Sequence, residues 1–131
     1  MSTVLRATLA LFALTALTGC PAEELAIIGD YTDDFGGTHT VTETTWTMGF
    51  GVFNITQFDN DGQWLIAQND SENEFSPDLW SRFDWTEDGA DLYFCQTTFD
   101  SATEQDAVDA PAADSADLDA GCGGFAWSQL L

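Results

Sequence analysis

A lone histidine, His39, and 23 carboxylates are nearly all that this chain offers for acid–base chemistry. A Ser-His-Asp arrangement would have to be built on His39, which sits in a threonine-rich run where a structural role is the simpler reading. Paired carboxylates such as Asp33/Asp34 and Glu72/Glu74 have the type needed for glycoside hydrolysis, where one carboxyl is the acid and the second the base or nucleophile. In so acidic a chain, pairs of this kind also arise by chance. The sequence has no lysine, no GxSxG elbow, no HExxH and no Walker loop, so it assigns no catalytic residue.

Calcium is the next chemistry that such a composition suggests. Asp59-Asn60-Asp61-Gly62 has the middle of an EF-hand loop, but aligning Gly62 with the loop glycine puts Gln57 in the first position and Gln68 in the last, where Asp and Glu are required. The same alignment on Gly89 gives Asp84, Thr86 and Asp88, yet leaves Cys95 in the last position. Neither is an EF-hand. What remains is an irregular, weak calcium site at Asp59 and Asp61, and no other cofactor is implied.

The aromatic content offers a third chemistry. Exposed indoles stack on sugar rings, and nearby amides and carboxylates can bond sugar hydroxyls. Trp64, Trp80 and Trp85, with Gln68, Asn69 and Asp70, form the candidate contact set for a glycan or other ligand. Large aromatics also fill small cores, and most of the tryptophans, which include Trp46 and Trp127, are expected there. Arg82 lies between Trp80 and Trp85, so a Trp–Arg stack is expected. It is also the one basic side chain after Arg6, and is expected to form a structural ion pair with several carboxylates.

With a formal net charge of −21, the chain has the wrong sign of field for nucleic acid. Anionic lipid headgroups would repel it as well. Its charge suits cations, glycans or a basic protein partner, and its self-repulsion opposes compaction. Cys95 and Cys122 are an even pair in a chain read below as exported, so they are expected to form a disulfide worth about 3–4 kcal/mol in the chain-entropy model.

These groups need a scaffold and a location. Met1 to Arg6 is a short charged leader, Ala7 to Leu17 an apolar run, and small residues then lead to Cys20. The apolar run is shorter than the roughly 20 residues of a membrane-spanning helix and has the layout of an export signal. Leu17-Thr18-Gly19-Cys20 resembles the bacterial lipoprotein lipobox. That resemblance implies a cleaved signal at 1–19, acylation of Cys20 with diacylglycerol and an N-acyl (palmitate-type) chain, and attachment to the cell envelope, at the outer membrane or cell surface. Two or three acyl chains hold a protein stably where one does not. Residues 20–25 would be a lipidated tether and 26–131 a single domain.

Within that domain the pattern is β. Ala26 to Tyr31 reads as a first strand, and Thr38 to Thr47 as one alternating strand with His39, Val41 and Glu43 on one face. Phe50 to Phe58 and Gln63 to Gln68 flank the Asp59–Gly62 turn as a hairpin. Trp80 to Trp85 and Asp91 to Thr97 flank a second one. Ser76-Pro77-Asp78 reads as an N-cap opening at most one helical turn. Residues 100–120, rich in alanine and aspartate, read as a short helix followed by a flexible acidic loop hanging outside. Phe125 to Leu130 reads as a last strand. The fold class is therefore all-β: a small antiparallel meander, closed as a barrel or folded as a sandwich, with a short helix and acidic loop before the last strand.

The Gly29-x-Tyr31 start and the Leu92-Tyr93-Phe94-Cys95 strand resemble those of lipocalin-like barrels. Gly37-Thr38-His39-Thr40, Ile66-Ala67-Gln68-Asn69-Asp70, Leu79 to Thr86, Leu92 to Thr97 and Cys122-Gly123-Gly124-Phe125 together resemble segments of a group of uncharacterised bacterial lipoproteins. This second likeness implies a shared fold and anchor and transfers no site. Three functions are then open: a non-enzymatic envelope lipoprotein with a binding or structural role, a lipocalin-like carrier of a small apolar ligand, and an acidic hydrolase. An aromatic-lined interior cavity would favour the second, and two carboxylates converging in a cleft the third.

Overall fold

The structure, a computed structural model, describes residues 22–131. The expected signal peptide, Cys20 and the start of the tether lie outside the described residues. The chain forms β1 (Gly29–Thr32), β2 (Thr38–Val41), β3 (Thr45–Met48), β4 (Gly51–Asp59), β5 (Trp64–Asn69), β6 (Trp80–Asp88), β7 (Asp91–Ser101), α1 (Glu104–Asp109) and β8 (Ser128–Leu130). Every strand pairs antiparallel with its neighbours in sequence, giving one sheet in the order β1 to β8. The sheet curls until its edges meet. Thr32 and Leu131 exchange N–H···O bonds of 3.0 and 2.8 Å, and Asp33 bridges Leu130. The result is a nearly closed all-β barrel.

Alternation builds the interior. His39 and Val41 on β2, Trp46 and Met48 on β3, Leu65 and Ala67 on β5, and Phe83 and Trp85 on β6 point inward, with their neighbours facing out. Trp46 and Phe83 are fully buried and stacked at a centroid distance of 4.6 Å. Phe53 and Phe94 pack on this pair at 5.2 Å each. These rings fill the middle of the barrel, so open space lies at its rim and not along its axis.

Five expectations about the elements of the fold are corrected. The run Thr38–Thr47 is two strands, because the Thr42 hydroxyl accepts the N–H groups of Thr44 (3.2 Å) and Thr45 (3.0 Å) and folds the chain into a tight turn. Ser76-Pro77-Asp78 is a turn and not a helical start: Ser76 (φ 48°) and Asp78 (φ 64°) adopt left-handed backbone. The first strand begins only at Gly29, the residues before it burying Leu25 and Ile27 in the core. The last strand shrinks to Ser128–Leu130, since Cys122 and Phe125 close a separate turn through bonds of 2.9 Å each way.

The acidic stretch is the fifth correction. It does not hang free. Thr103 caps α1, accepting Asp106 N–H at 3.1 Å, and Ala107 is fully buried. Beyond the helix, Trp127 Nε1 donates to Asp114 O at 3.0 Å, and Gly121 sits so close to the Asp114 and Asp117 carbonyls that a Cβ there would overlap them. The segment is a strap lying across the outside of the barrel.

Arg82 and Asp84, on the outward face of β6, hold that strap. The Arg82 guanidinium donates to Val108 O (2.8 Å), Ala110 O (3.1 Å) and Asp84 Oδ1 (3.2 Å). Asp84 also accepts from Ala113 N–H at 3.3 Å and from the Thr97 hydroxyl. Arg82 stacks on Trp64, 5.3 Å from its ring centroid, in place of the expected Trp80 and Trp85. Trp85 is excluded by parity, an odd step along β6 that turns it into the core. Arg82 pairs with one carboxylate, Asp84, rather than several.

A candidate binding rim

In a simple meander, alternate connections share an end of the barrel. At one end lie the β2–β3, β4–β5 and β6–β7 turns, none of which carries an aromatic side chain. The chain enters there: Leu25 N donates to Glu43 at 3.1 Å and Ala26 N to Asn60 at 2.9 Å. At the other end lie the β1–β2, β3–β4, β5–β6 and β7–β8 connections, and each carries an exposed phenylalanine. These are Phe35 (86 % exposed), Phe50 (61 %), Phe75 (65 %) and Phe125 (78 %), joined by Phe99 (54 %) near the end of β7.

The five rings frame three adjoining hollows. Phe50, Phe75 and Phe99 wall a groove of about 210 Å³ with buried Phe53 beneath and Asn69, Asn73, Ser76 and Gln96 for polar lining. Phe35 and Phe50 flank a wider depression of about 400 Å³ that reaches His39, Met48, Phe94 and Cys122. Phe99 and Phe125 flank a third of about 230 Å³. Gln96 lines all three, so they form one continuous surface.

Each ring stands on a pinned backbone. Asp33 Oδ1 accepts Phe35 N–H (2.9 Å) and Gly37 N–H (2.8 Å), which shapes the turn beneath Phe35. Asn73 bonds both the N–H (3.0 Å) and C=O (2.8 Å) of Val52 and fastens the β5–β6 loop to β4. Asn69, buried, donates to Ser76 O at 2.9 Å and to Phe99 O at 2.8 Å, while its Oδ1 accepts the Ser81 hydroxyl at 2.6 Å. One amide thus ties the loop that carries Phe75 to the end of β7 that carries Phe99. The Cys95–Cys122 disulfide, with Cα atoms 5.7 Å apart, anchors the turn that ends in Phe125. Apolar groups held in place before binding lose less conformational freedom when a partner arrives.

The residues expected to contact a sugar are divided among the core and two surfaces: Gln68 lies opposite Trp80 on β5 and β6, and Asn69 lines the rim groove. Trp85 and Asn69 are buried. Trp64 and Trp80 are half-buried on the outside of the barrel with Arg82 between them. Gln68 donates to Asp78 O at 3.1 Å, and Asp70 accepts from Glu72 N–H at 3.0 Å and Asn54 at 3.2 Å. No tryptophan of the described residues is fully exposed. The exposed aromatics are phenylalanines, and reading for indoles passed over them. A signal was present: Phe35, Phe50, Phe75 and Phe125 are each flanked by turn-forming Gly, Asp, Ser or Pro, where no strand could turn them inward.

For calcium, Asp59 spends Oδ1 on Gly62 N–H at 3.0 Å within its own turn. Among the described residues no three His, Cys, Asp or Glu side chains are grouped to hold a metal ion. For acid–base catalysis, His39 has both ring nitrogens engaged. Nδ1 accepts from Trp46 Nε1 at 3.1 Å, and Nε2 faces Asp33 Oδ2 at 2.8 Å. His39, with the N–H groups of Gly37 and Phe35, holds the Asp33 carboxyl below the ordinary carboxylate range against the opposing effect of burial. Asp70 is lowered likewise by Glu72 N–H and Asn54. Both stay ionised at neutral pH and would be poor proton donors.

Comparison with protein-family models, curated proteins and solved structures returns no match to this chain.

Proposed function

We propose that this chain is a non-enzymatic binding protein of the bacterial cell envelope, acylated at Cys20, that engages its ligand or partner through the phenylalanine rim. One observation carries the reading: five exposed phenylalanines gather at the end of the barrel opposite to the one where the chain enters. Contiguous exposed apolar surface of this kind marks an interaction site. A lipid on Cys20 would hold the polar end toward the membrane and present the rim away from it. The lipobox resemblance supports the anchor, and the resemblance to bacterial lipoproteins supports the setting.

A second reading is a carrier of a small apolar ligand. The groove between Phe50, Phe75 and Phe99 favours it by its aromatic walls; at about 210 Å³ it is smaller than the roughly 300–1,000 Å³ of ordinary ligand pockets, while the adjoining depression of about 400 Å³ lies within that range. The hydrolase reading draws no support from His39, which has no free nitrogen to act as a base.

The test is a photo-crosslinking amino acid placed at position 75 or at position 61, on the opposite end, in bacterial cells exporting the full chain. Adducts are expected from position 75 and not from position 61. Equal or absent crosslinking at position 75 would sink the reading. Cys20→Ser should move the protein out of the membrane fraction, and a chain that stays membrane-bound would remove the anchor from the proposal.

A further inference from the structure

We infer that the phenylalanine rim docks a basic, amphipathic polypeptide segment, one that inserts apolar side chains among the rings and meets the surrounding carboxylates with lysine or arginine. The inference rests on the rim being the binding end and names what it binds.

The rim is acidic as well as apolar. Asp34 precedes Phe35, Glu74 precedes Phe75 and Asp100 follows Phe99, and all three carboxylate residues are exposed. Glu72 and Asp78 add charge to the loop around Phe75. Nothing in the described chain balances them. Its one Lys or Arg is Arg82, which is buried, paired with Asp84 and committed to the strap. The rim is therefore a set of apolar rings with an uncompensated negative border, and the complementary surface is apolar with a positive border.

That charge also decides among occupants. A second copy of this chain would bring like-charged rims together, at a cost that rises as water is excluded. A membrane of anionic lipid is repelled by the same carboxylates. A neutral glycan could bond the border carboxylates through its hydroxyls but would leave their charge unbalanced, and the exposed rings are phenylalanines with no polar atom of their own. A basic amphipathic segment uses both features. Its apolar side chains enter the groove walled by Phe50, Phe75 and Phe99, whose polar lining of Asn69 and Gln96 is already bonded inward. Its cations meet Asp34, Glu74 and Asp100, which also steer its approach at low salt.

The experiment uses the full chain in phosphatidylcholine nanodiscs, with empty discs as the blank. The probe is an amphipathic helical peptide of leucine and lysine, and its partner has glutamate in place of lysine. Binding of the Lys/Leu peptide is expected, weakened about tenfold or more by Phe50→Ser/Phe75→Ser, and weakened again between about 0.05 and 0.5 M salt. Both substituted rings are exposed, so the variant should melt like the parent. Three results each overturn the inference: Lys/Leu binding indifferent to the two substitutions, a Glu/Leu peptide bound as tightly, or recruitment of phosphatidylglycerol vesicles instead of the peptide. If position 75 crosslinks in cells while the Lys/Leu peptide fails to bind, the binding end stands and its basic occupant falls.

Discussion

Trp46 donates its indole N–H to Nδ1 of His39 across 3.1 Å, and this fixes which way the imidazole faces. Indole is a donor only, so Nδ1 must be the acceptor and Nε2 carries the proton. That proton points to Asp33 Oδ2 at 2.8 Å. The result is a line of three side chains running from the stacked centre of the barrel to the turn beneath Phe35. Through it the packing of Trp46 on Phe83 sets the position of a rim loop.

Replacing His39 with phenylalanine should break the line at both ends. Trp46 would lose its acceptor inside the core, and Asp33 would lose its donor. Leaving the buried Trp46 N–H unpaired costs about 1–3 kcal/mol, while Asp33 keeps its bonds to Phe35 and Gly37. We expect His39→Phe to be destabilised by at least that much in urea unfolding, with Phe35 losing order in NMR relaxation. A variant as stable as the parent would show that the line contributes nothing.

The Asp33 carboxyl has a pKa lowered in the folded chain, so its contribution is complete above the unfolded value of about 3.9. It is lost as pH falls through the lower folded value. Acid also relieves the repulsion among the other carboxylates, and the two effects oppose each other in the total. The comparison with Asp33→Asn separates them: the parent should be the more stable at neutral pH, and the gap should narrow as pH drops below about 4. A gap that widened in acid would reverse the assigned sign.

Arg82 and Asp84 are both buried, and removing one partner of such a pair leaves an unmatched charge, at about 3–5 kcal/mol. Arg82→Gln should therefore be strongly destabilised and should release the strap to proteolysis near Val108. Arg82→Gln/Asp84→Asn should recover part of the loss. If the double variant is no better than the single, the strap carbonyls matter more than the carboxylate.

With 23 carboxylates and, among the described residues, one Lys or Arg, the folded chain should gain from screening. Its melting temperature should rise between low and moderate ionic strength, where the Debye length drops to about 10 Å. A flat response would point to cations already bound at the surface.

How much of this could be read from residues alone depends on the range of the determining contact. The Asp59–Gly62 and Gly89 hairpins, the shared face of His39 and Val41, and the Cys95–Cys122 bridge follow from local pattern or from an even cysteine count, whereas Glu43, expected on that same face, lies exposed in the turn after β2. The break at Thr42 does not, because a threonine favours both strand and turn, and its own hydroxyl decides here. The order of the acidic strap was hidden for another reason. Its composition is that of a solvated loop, and what fixes it is Arg82, more than twenty residues earlier in the chain. The rim was the least legible feature. Its five phenylalanines converge only when the meander brings alternate connections to one end.

The burial of Arg82 also makes this barrel its own reporter of unfolding. Trypsin cuts after lysine or arginine, and the described chain offers it one bond, Arg82–Phe83, in the middle of β6 with both residues buried. An intact barrel gives the protease nothing to grip, and a single cut marks each molecule that has opened. When opening and closing are fast relative to cleavage, the cleavage rate follows the open population. Amine-directed dyes find no lysine side chain to attack while the count is made.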